Sequence, residues 1–306
     1  MNTNTKSTLF ALLAVCFWST VATAFKIALK GMPFYELLFI ATWVSVFIFF
    51  IILLVKKQLI CTLRSSSSAW GRSALMGALN PFLYYLVLLK AYSLLPAYMA
   101  QPLNYTWPVV LVFFAALFLK QRLSWLSLIA LLVSFAGVVF ISNGNSELNS
   151  SSTLLGVILA SGSSLIWSSY WISNLKDSRE TLPKLFLNFL CGALYITVFV
   201  LFSGLPPVSS TTSFIAAIYV GFFEMGITFL VWMFALHIAP RADSISIYIF
   251  LSPFLSLIFI TTILGENITL NAIIGFILIA LGIFIAKWKE MATFGNDKSG
   301  KNNTGH

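Results

Sequence analysis

The feature that most constrains this chain is a recurrence of long apolar runs, each followed by a short polar stretch. Ten such runs can be read, at 7–28, 34–55, 73–90, 96–119, 124–142, 154–174, 185–203, 213–236, 244–264 and 271–288. A run of roughly 17–25 apolar residues crosses a bilayer as one helix. In lipid only a helix or a closed barrel satisfies its own backbone N–H and C=O groups. The expected fold is an all-α polytopic membrane protein with ten transmembrane helices. The charge count agrees: 9% of the 306 residues are charged and 59% hydrophobic, whereas a soluble domain carries about 25% charged residues. A mean hydropathy of +0.94 leaves too little polar surface to face water on every side.

The net charge of +9 does not indicate a nucleic-acid partner, because the basic residues are confined to particular loops. Lys6; Lys56, Lys57, Arg64 and Arg72; Lys120 and Arg122; Lys176, Arg179 and Lys184; Arg241; and Lys287, Lys289, Lys298 and Lys301 fall on one side, 15 of the 18 Lys and Arg residues. Lys30 and Lys90 fall on the other, and Lys26 lies at the end of the first helix. The positive-inside rule then places both termini in the cytoplasm.

Several chemistries lack their residues. Cys16, Cys61 and Cys191 form no CxxC pair, and His237 and His306 are too few for a histidine metal site, so neither metal nor cofactor is expected. No GxxxxGK[ST] loop is present, and no histidine sits mid-span to serve as the base of an intramembrane hydrolase. The polar loops 56–72 and 143–153 are too short to form domains. The tail 291–306 is polar and expected to be disordered.

The chain also repeats itself. FLKQRLSWLSLIALLVSFAGVVFI (118–141) overlays ILGENITLNAIIGFILIALGIFIA (263–286) at an offset of 145, pairing Pro108 with Pro253 and Gly137 with Gly282. KAYSLLP (90–96) matches FALHIAP (234–240) at 144, and Trp18 in CFWST corresponds to Trp167 in LIWSS. The expected divisions are a first repeat 1–142, a connector 143–153, a second repeat 154–290 and the tail. Five spans per repeat is an odd number, so the second repeat is inverted. Many secondary transporters share this plan, with the substrate near mid-membrane between the halves.

These stretches resemble a known family. FWST…FK (17–20, 25–26), NYTWPVVLVFFAALFLKQRLS (104–124) and SPFLSLIFITTILGENIT (252–269) are similar to EamA-type members of the drug/metabolite transporter superfamily. The resemblance implies ten helices in two EamA repeats, a bacterial inner-membrane location, and transport of small solutes such as amino acids, other metabolites, nucleotide-linked compounds or drugs. The Leu-Gly-Glu ending of the family is intact at Leu264-Gly265-Glu266 but reads Leu119-Lys120-Gln121 in the first repeat, which gives Gln121 a structural role.

Candidate site residues follow from the apolar runs. YVGFFEMGITFLVW (219–232) holds one carboxylate, Glu224. An ionised acid at the bilayer centre costs about 2.5–3.5 kcal/mol, so it is expected to face an interior cavity and to bind substrate or exchange a proton. Counting back 16 residues from Pro240 and from Pro96 pairs Glu224 with Asn80. Helical spacing adds Thr228 and Trp232 to the Glu224 face and Tyr84 to the Asn80 face. Trp18 and Lys26 share a stripe on helix one, Gln101 and Tyr105 on helix four, and Trp167 and Trp171 on helix six. Lys26 either lines the cavity or snorkels to the interface, and the tryptophans either bind or pack. Pro108 and Pro253 are expected to kink helices four and nine, and Gly275 and Gly282 to mark close packing.

The expected activity is that of a secondary carrier, most simply an amino-acid exporter, and not an enzyme. The competing readings are a proton-coupled exporter of hydrophobic cations or drugs, and a channel or receptor. The expected partners are a small-molecule substrate and membrane lipid; a homodimer is allowed.

Overall fold

The computed structural model describes residues 3–119, 125–142, 151–204, 210–239 and 247–300. Its elements are α1 (Thr3–Leu29), α2 (Phe34–Val55), α3 (Leu59–Leu63), α4 (Ser67–Gly77), α5 (Tyr84–Leu94), α6 (Ala97–Asn104) and α7 (Trp107–Leu119). They continue with α8 (Trp125–Ser142), α9 (Ser151–Leu175), α10 (Thr181–Ser203), α11 (Thr211–Val220), α12 (Ile227–Ile238), α13 (Ser252–Leu264) and α14 (Leu270–Gly300). Among the described residues seven helical segments are long and apolar enough to span a bilayer, and three shorter apolar helices accompany them. The outward faces are apolar, as lipid requires: Trp125 is 81% exposed and Phe202 89%.

Local sequence explains where the helices start and stop. Ser66 and Ser210 cap α4 and α11, their hydroxyls accepting from the N–H of Ala69 and Ser213. Gly265 ends α13 in the left-handed region at φ 67°, which favours glycine. Pro108 and Pro253 are each the second residue of a helix, α7 and α13. The expected mid-helix kinks are therefore breaks that precede the prolines, where a missing N–H costs nothing.

Helices three and eight are each interrupted by a single π turn, at Ala78–Leu83 and Gly221–Gly226. The freed carbonyls find partners. Ser45 donates to Gly221 O at 2.8 Å, and Thr228 donates to Phe223 O. Asn80 leaves helical geometry altogether, at φ −147° and ψ 120°.

Packing partners recur in matched pairs. α1 packs on α12 as α5 packs on α9; α1 meets α13 as α7 meets α9; α2 packs on α10 and α8 on α14. Where α8 crosses α14, a Cβ on Gly275 would lie 2.5 Å from Gly137 O, and one on Gly282 would overlap Ser134 Oγ. The close-packing role expected of both glycines follows from these contacts.

Two expectations differ from the structure. The stretch 56–72 contains α3 and the start of α4. The last helix runs on to Gly300, through most of the tail expected to be disordered. Its continuation AKWKEMATF contains good helix formers and no proline. The connector residues 143–150, Gln121 and the tail end 301–306 lie outside the described residues.

Candidate functional site

A cavity of about 90 Å³ opens at mid-bundle between the two halves of the chain. α1 contributes Trp18, Ala22 and Phe25; α5 contributes Tyr84 and Tyr92; and the α6–α7 break contributes Gln101, Asn104, Tyr105 and Trp107. From the second half come Trp167 and Trp171 of α9, Glu224 of the π turn, and Phe229 and Trp232 of α12. Among the described lining residues Glu224 is the one carboxylic acid, and none is a lysine or arginine.

The polar groups are held by neighbours, both within a half and across the halves. Tyr85 Oη donates to Glu224 Oε1 at 2.8 Å. Tyr84 Oη donates to Asn104 Oδ1 at 3.3 Å, and Asn104 Nδ2 donates to Ser163 Oγ at 2.8 Å. Trp167 stacks on Tyr84 with ring centroids 4.6 Å apart, and Trp18 meets Trp232 at 5.5 Å. Rings locked in this way form a rigid aromatic sleeve. Two buried polar atoms in it have no protein partner: Gln101 Oε1, an acceptor, and Trp171 Nε1, a donor. The chemistry on offer is therefore one carboxylate, several π faces for an apolar body or a cation, and a few neutral polar groups for orientation.

Eight expected residues meet at this cavity: Glu224, Tyr84, Trp18, Gln101, Tyr105, Trp167, Trp171 and Trp232. Three do not. Asn80 is fully buried away from the cavity, on the part of helix three that packs against α10. Its non-helical backbone breaks the register that placed it opposite Glu224. Thr228 is fully buried and spent on the Phe223 carbonyl. The π turn inserts one residue, so the position below Glu224 passes from Thr228 to Phe229. Lys26 donates to Tyr92 O and Leu95 O, at 3.1 and 3.0 Å, closing on the C-terminal carbonyls of α5.

Sequence reasoning missed Tyr85, Asn104, Tyr92, Phe25 and Phe229. Asn104 is a polar residue inside an apolar run, the same signal that marks Glu224. Among the described residues no cluster of His, Cys, Asp and Glu could hold a metal ion.

Comparison with known proteins fits this geometry. The EamA-like transporter family model matches residues 5–143 and again 154–288, two copies that meet at the connector. An "Uncharacterized transporter" of Clostridium kluyveri is 25% identical over 92% of this chain and 92% of its own length. Another, from Archaeoglobus fulgidus, is 26% identical over 94% of this chain and 99% of its own. A solved structure titled "Crystal structure of protein" shares the fold, with a TM-score of 0.64 at 20% identity, covering 93% of this chain and 97% of that one. Two family matches over a bundle of apolar helices decide the matter: this chain is an integral, multi-pass membrane protein that belongs to the EamA-like transporter family.

Proposed function

We propose that the chain is a secondary carrier that exports a small metabolite bearing an amine, most simply an amino acid or related solute. The observation that carries this reading is Glu224, the single acid among the described residues of an aromatic cavity between the two halves. A carboxylate there receives an ammonium group while the tryptophan and tyrosine faces hold the apolar body. The seven long and three shorter apolar helices support ten spans, and the matched packing pairs support two inverted repeats that rock about the cavity by alternating access. The loop charge bias supports cytoplasmic termini, and the family supports a cell (inner) membrane location.

A second reading, a proton-coupled exporter of hydrophobic cations, is favoured by the lack of a basic residue among the described residues of the lining. In that case Glu224 alternates between proton and cation. Counterflow in proteoliposomes tests the carrier mechanism: a carrier loaded with unlabelled solute accumulates label transiently, and a channel does not. A thermal-stability screen against amino acids, polyamines and lipophilic cations separates the solutes, since a ligand of the folded state raises the melting temperature by mass action. Glu224→Gln is expected to abolish the shift given by the selected class. A variant that transports at the wild-type rate with unchanged pH dependence refutes the role of Glu224.

A further inference from the structure

The rings that line the central cavity touch one another in an unbroken row. Tyr84 stacks on Trp167 at 4.6 Å between centroids, and Trp167 meets Phe229 at 6.1 Å. Phe229 meets Trp18 at 5.9 Å, and Trp18 meets Trp232 at 5.5 Å. All of them line the space that holds Glu224. Tyr84 and Trp18 belong to the first half, and Trp167, Phe229 and Trp232 to the second, so the row passes back and forth between the halves.

Two physical consequences follow. Each ring is braced by the next, and Tyr84, Phe229 and Trp232 are themselves buried, so the wall is packed like a protein interior and yields little to a larger solute. Because the row joins both halves, it closes only when the halves are together. The space it encloses is small. It measures about 90 Å³, and one water takes about 10–15 Å³ of such space, so it holds roughly six to nine groups of water size, a carbon or nitrogen with its hydrogens counting as one. A cleft that stays open can seat one end of a larger solute. A carrier asks for more, since its halves rock about a solute held between them. A solute too large for the closed sleeve holds the halves apart and is not carried.

We infer that this row of rings is a size filter, that Trp18 is its specificity-determining residue, and that the substrate is a compact amine with a body of few carbons rather than a polycyclic or drug-sized cation. This rests on the reading that Glu224 receives the ammonium group of a carried solute. Trp18 is singled out because it is partly exposed and its ring contacts are to Phe229 and Trp232, both members of the row. Trp167 also braces Tyr84, whose hydroxyl holds Asn104, so its loss disturbs the polar groups as well.

The test uses the full chain in detergent with cyclohexylamine and adamantylamine, two primary ammonium ions on alicyclic bodies, one within the limit and one beyond it. Thermal-shift titrations are run on wild type, Trp18→Ala, Trp18→Phe and Glu224→Gln. Cyclohexylamine is expected to stabilise wild type. Adamantylamine is expected to bind at least about tenfold more weakly, the scale of overpacking a rigid site, although its larger apolar body would favour it in an open one. In Trp18→Ala the order reverses, because the space an indole leaves is refilled only in part. Trp18→Phe falls between the two, and Glu224→Gln loses both ligands. Adamantylamine that binds wild type as well as cyclohexylamine does, with both lost in Glu224→Gln, overturns the size filter and leaves the amine reading standing. Neither amine stabilising wild type, or both surviving Glu224→Gln, refutes the amine reading, and the inference falls with it. If Trp18→Ala does not fold, Trp18→Phe carries the test. A deficit of adamantylamine that is unchanged in a folded Trp18 variant overturns the proposal.

Discussion

Tyr85 of the first half and Glu224 of the second are 139 residues apart in sequence and 2.8 Å apart in space, hydroxyl to carboxylate. The contact gives the acid a protein partner when no substrate is bound. Tyr85→Phe keeps the ring and removes only the donor. A typical hydrogen bond contributes about 0.5–1.5 kcal/mol, so the ligand-free variant is expected to melt below wild type. An amine ligand should recover part of that loss, because its ammonium replaces the missing hydroxyl. Identical melting curves with and without ligand would show that the contact contributes nothing.

Glu266 crosses between the halves in the same way. Its two carboxylate oxygens accept the backbone N–H of Ala97 and of Tyr98, each at 3.1 Å, at the first turn of α6. Gly265 makes this reach feasible by ending α13 in a left-handed turn immediately before it. The Leu-Gly-Glu ending is thus a stop signal followed by a cap on a neighbouring helix. α6 carries Gln101 and Asn104 to the cavity, so the cap also positions site residues. Glu266→Ala is expected to cost about 1–2 kcal/mol, the range of a lost cap, and to lower transport even though Glu266 touches no substrate. Wild-type stability in this variant would remove the cap from the account.

The crossing of α8 and α14 depends on the absence of two side chains. A Cβ on Gly275 would sit 2.5 Å from both Gly137 O and Ile141 Cγ1, closer than packed atoms allow. Gly275→Ala is expected to destabilise by about 1–3 kcal/mol through overpacking. Gly71→Ala is the control, since a Cβ there meets nothing within 4 Å. It should be neutral or slightly stabilising, by about 0.5–1 kcal/mol for a helical glycine. Equal responses at the two positions would contradict the packing.

Much of this was legible in the sequence, for identifiable reasons. Glu224 stands out because an acid inside an apolar run has to face inward, whereas Trp18, Trp167 and Trp232 carry no such mark, since Trp125 and Phe202 show that aromatic rings also face outward. Two of the expected residues lie off the cavity where the backbone departs from a regular helix. One extra residue in the π turn at Gly221–Gly226 exchanges Thr228 for Phe229, and the break at Asn80 takes that amide out of the cavity. Lys26 lies on a regular helix, but its partners, the carbonyls of Tyr92 and Leu95, are 66 and 69 residues away and carry no sequence signal. The same distance hid the cap role of Glu266, although its motif was recognised.

The loop between α9 and α10 offers a test by pH. Asp177 is almost wholly buried, with 1% of its side chain exposed. Burial opposes its charge, but the Arg179 side chain and N–H, together with the nearby Lys184 charge, hold its carboxyl below the usual carboxylate range. Arg179 extends the network to α4, donating to Ala69 O at 2.9 Å and Ser73 Oγ at 2.8 Å. A carboxyl whose folded pKa is depressed stabilises the protein fully above its unfolded value, about 3.9, and loses that contribution as pH falls through the folded value. Asp177→Asn cannot accept through two anionic oxygens and leaves Arg179 poorly paired. At neutral pH it is expected to be less stable than wild type by about 1–3 kcal/mol. Melting temperatures measured for both proteins on a descending pH series should converge below about pH 4, because wild type alone has this charge to lose. A gap that persists into acid would mean that Asp177 acts through shape rather than charge, and no gap at any pH would mean that the network does not hold the loop to α4.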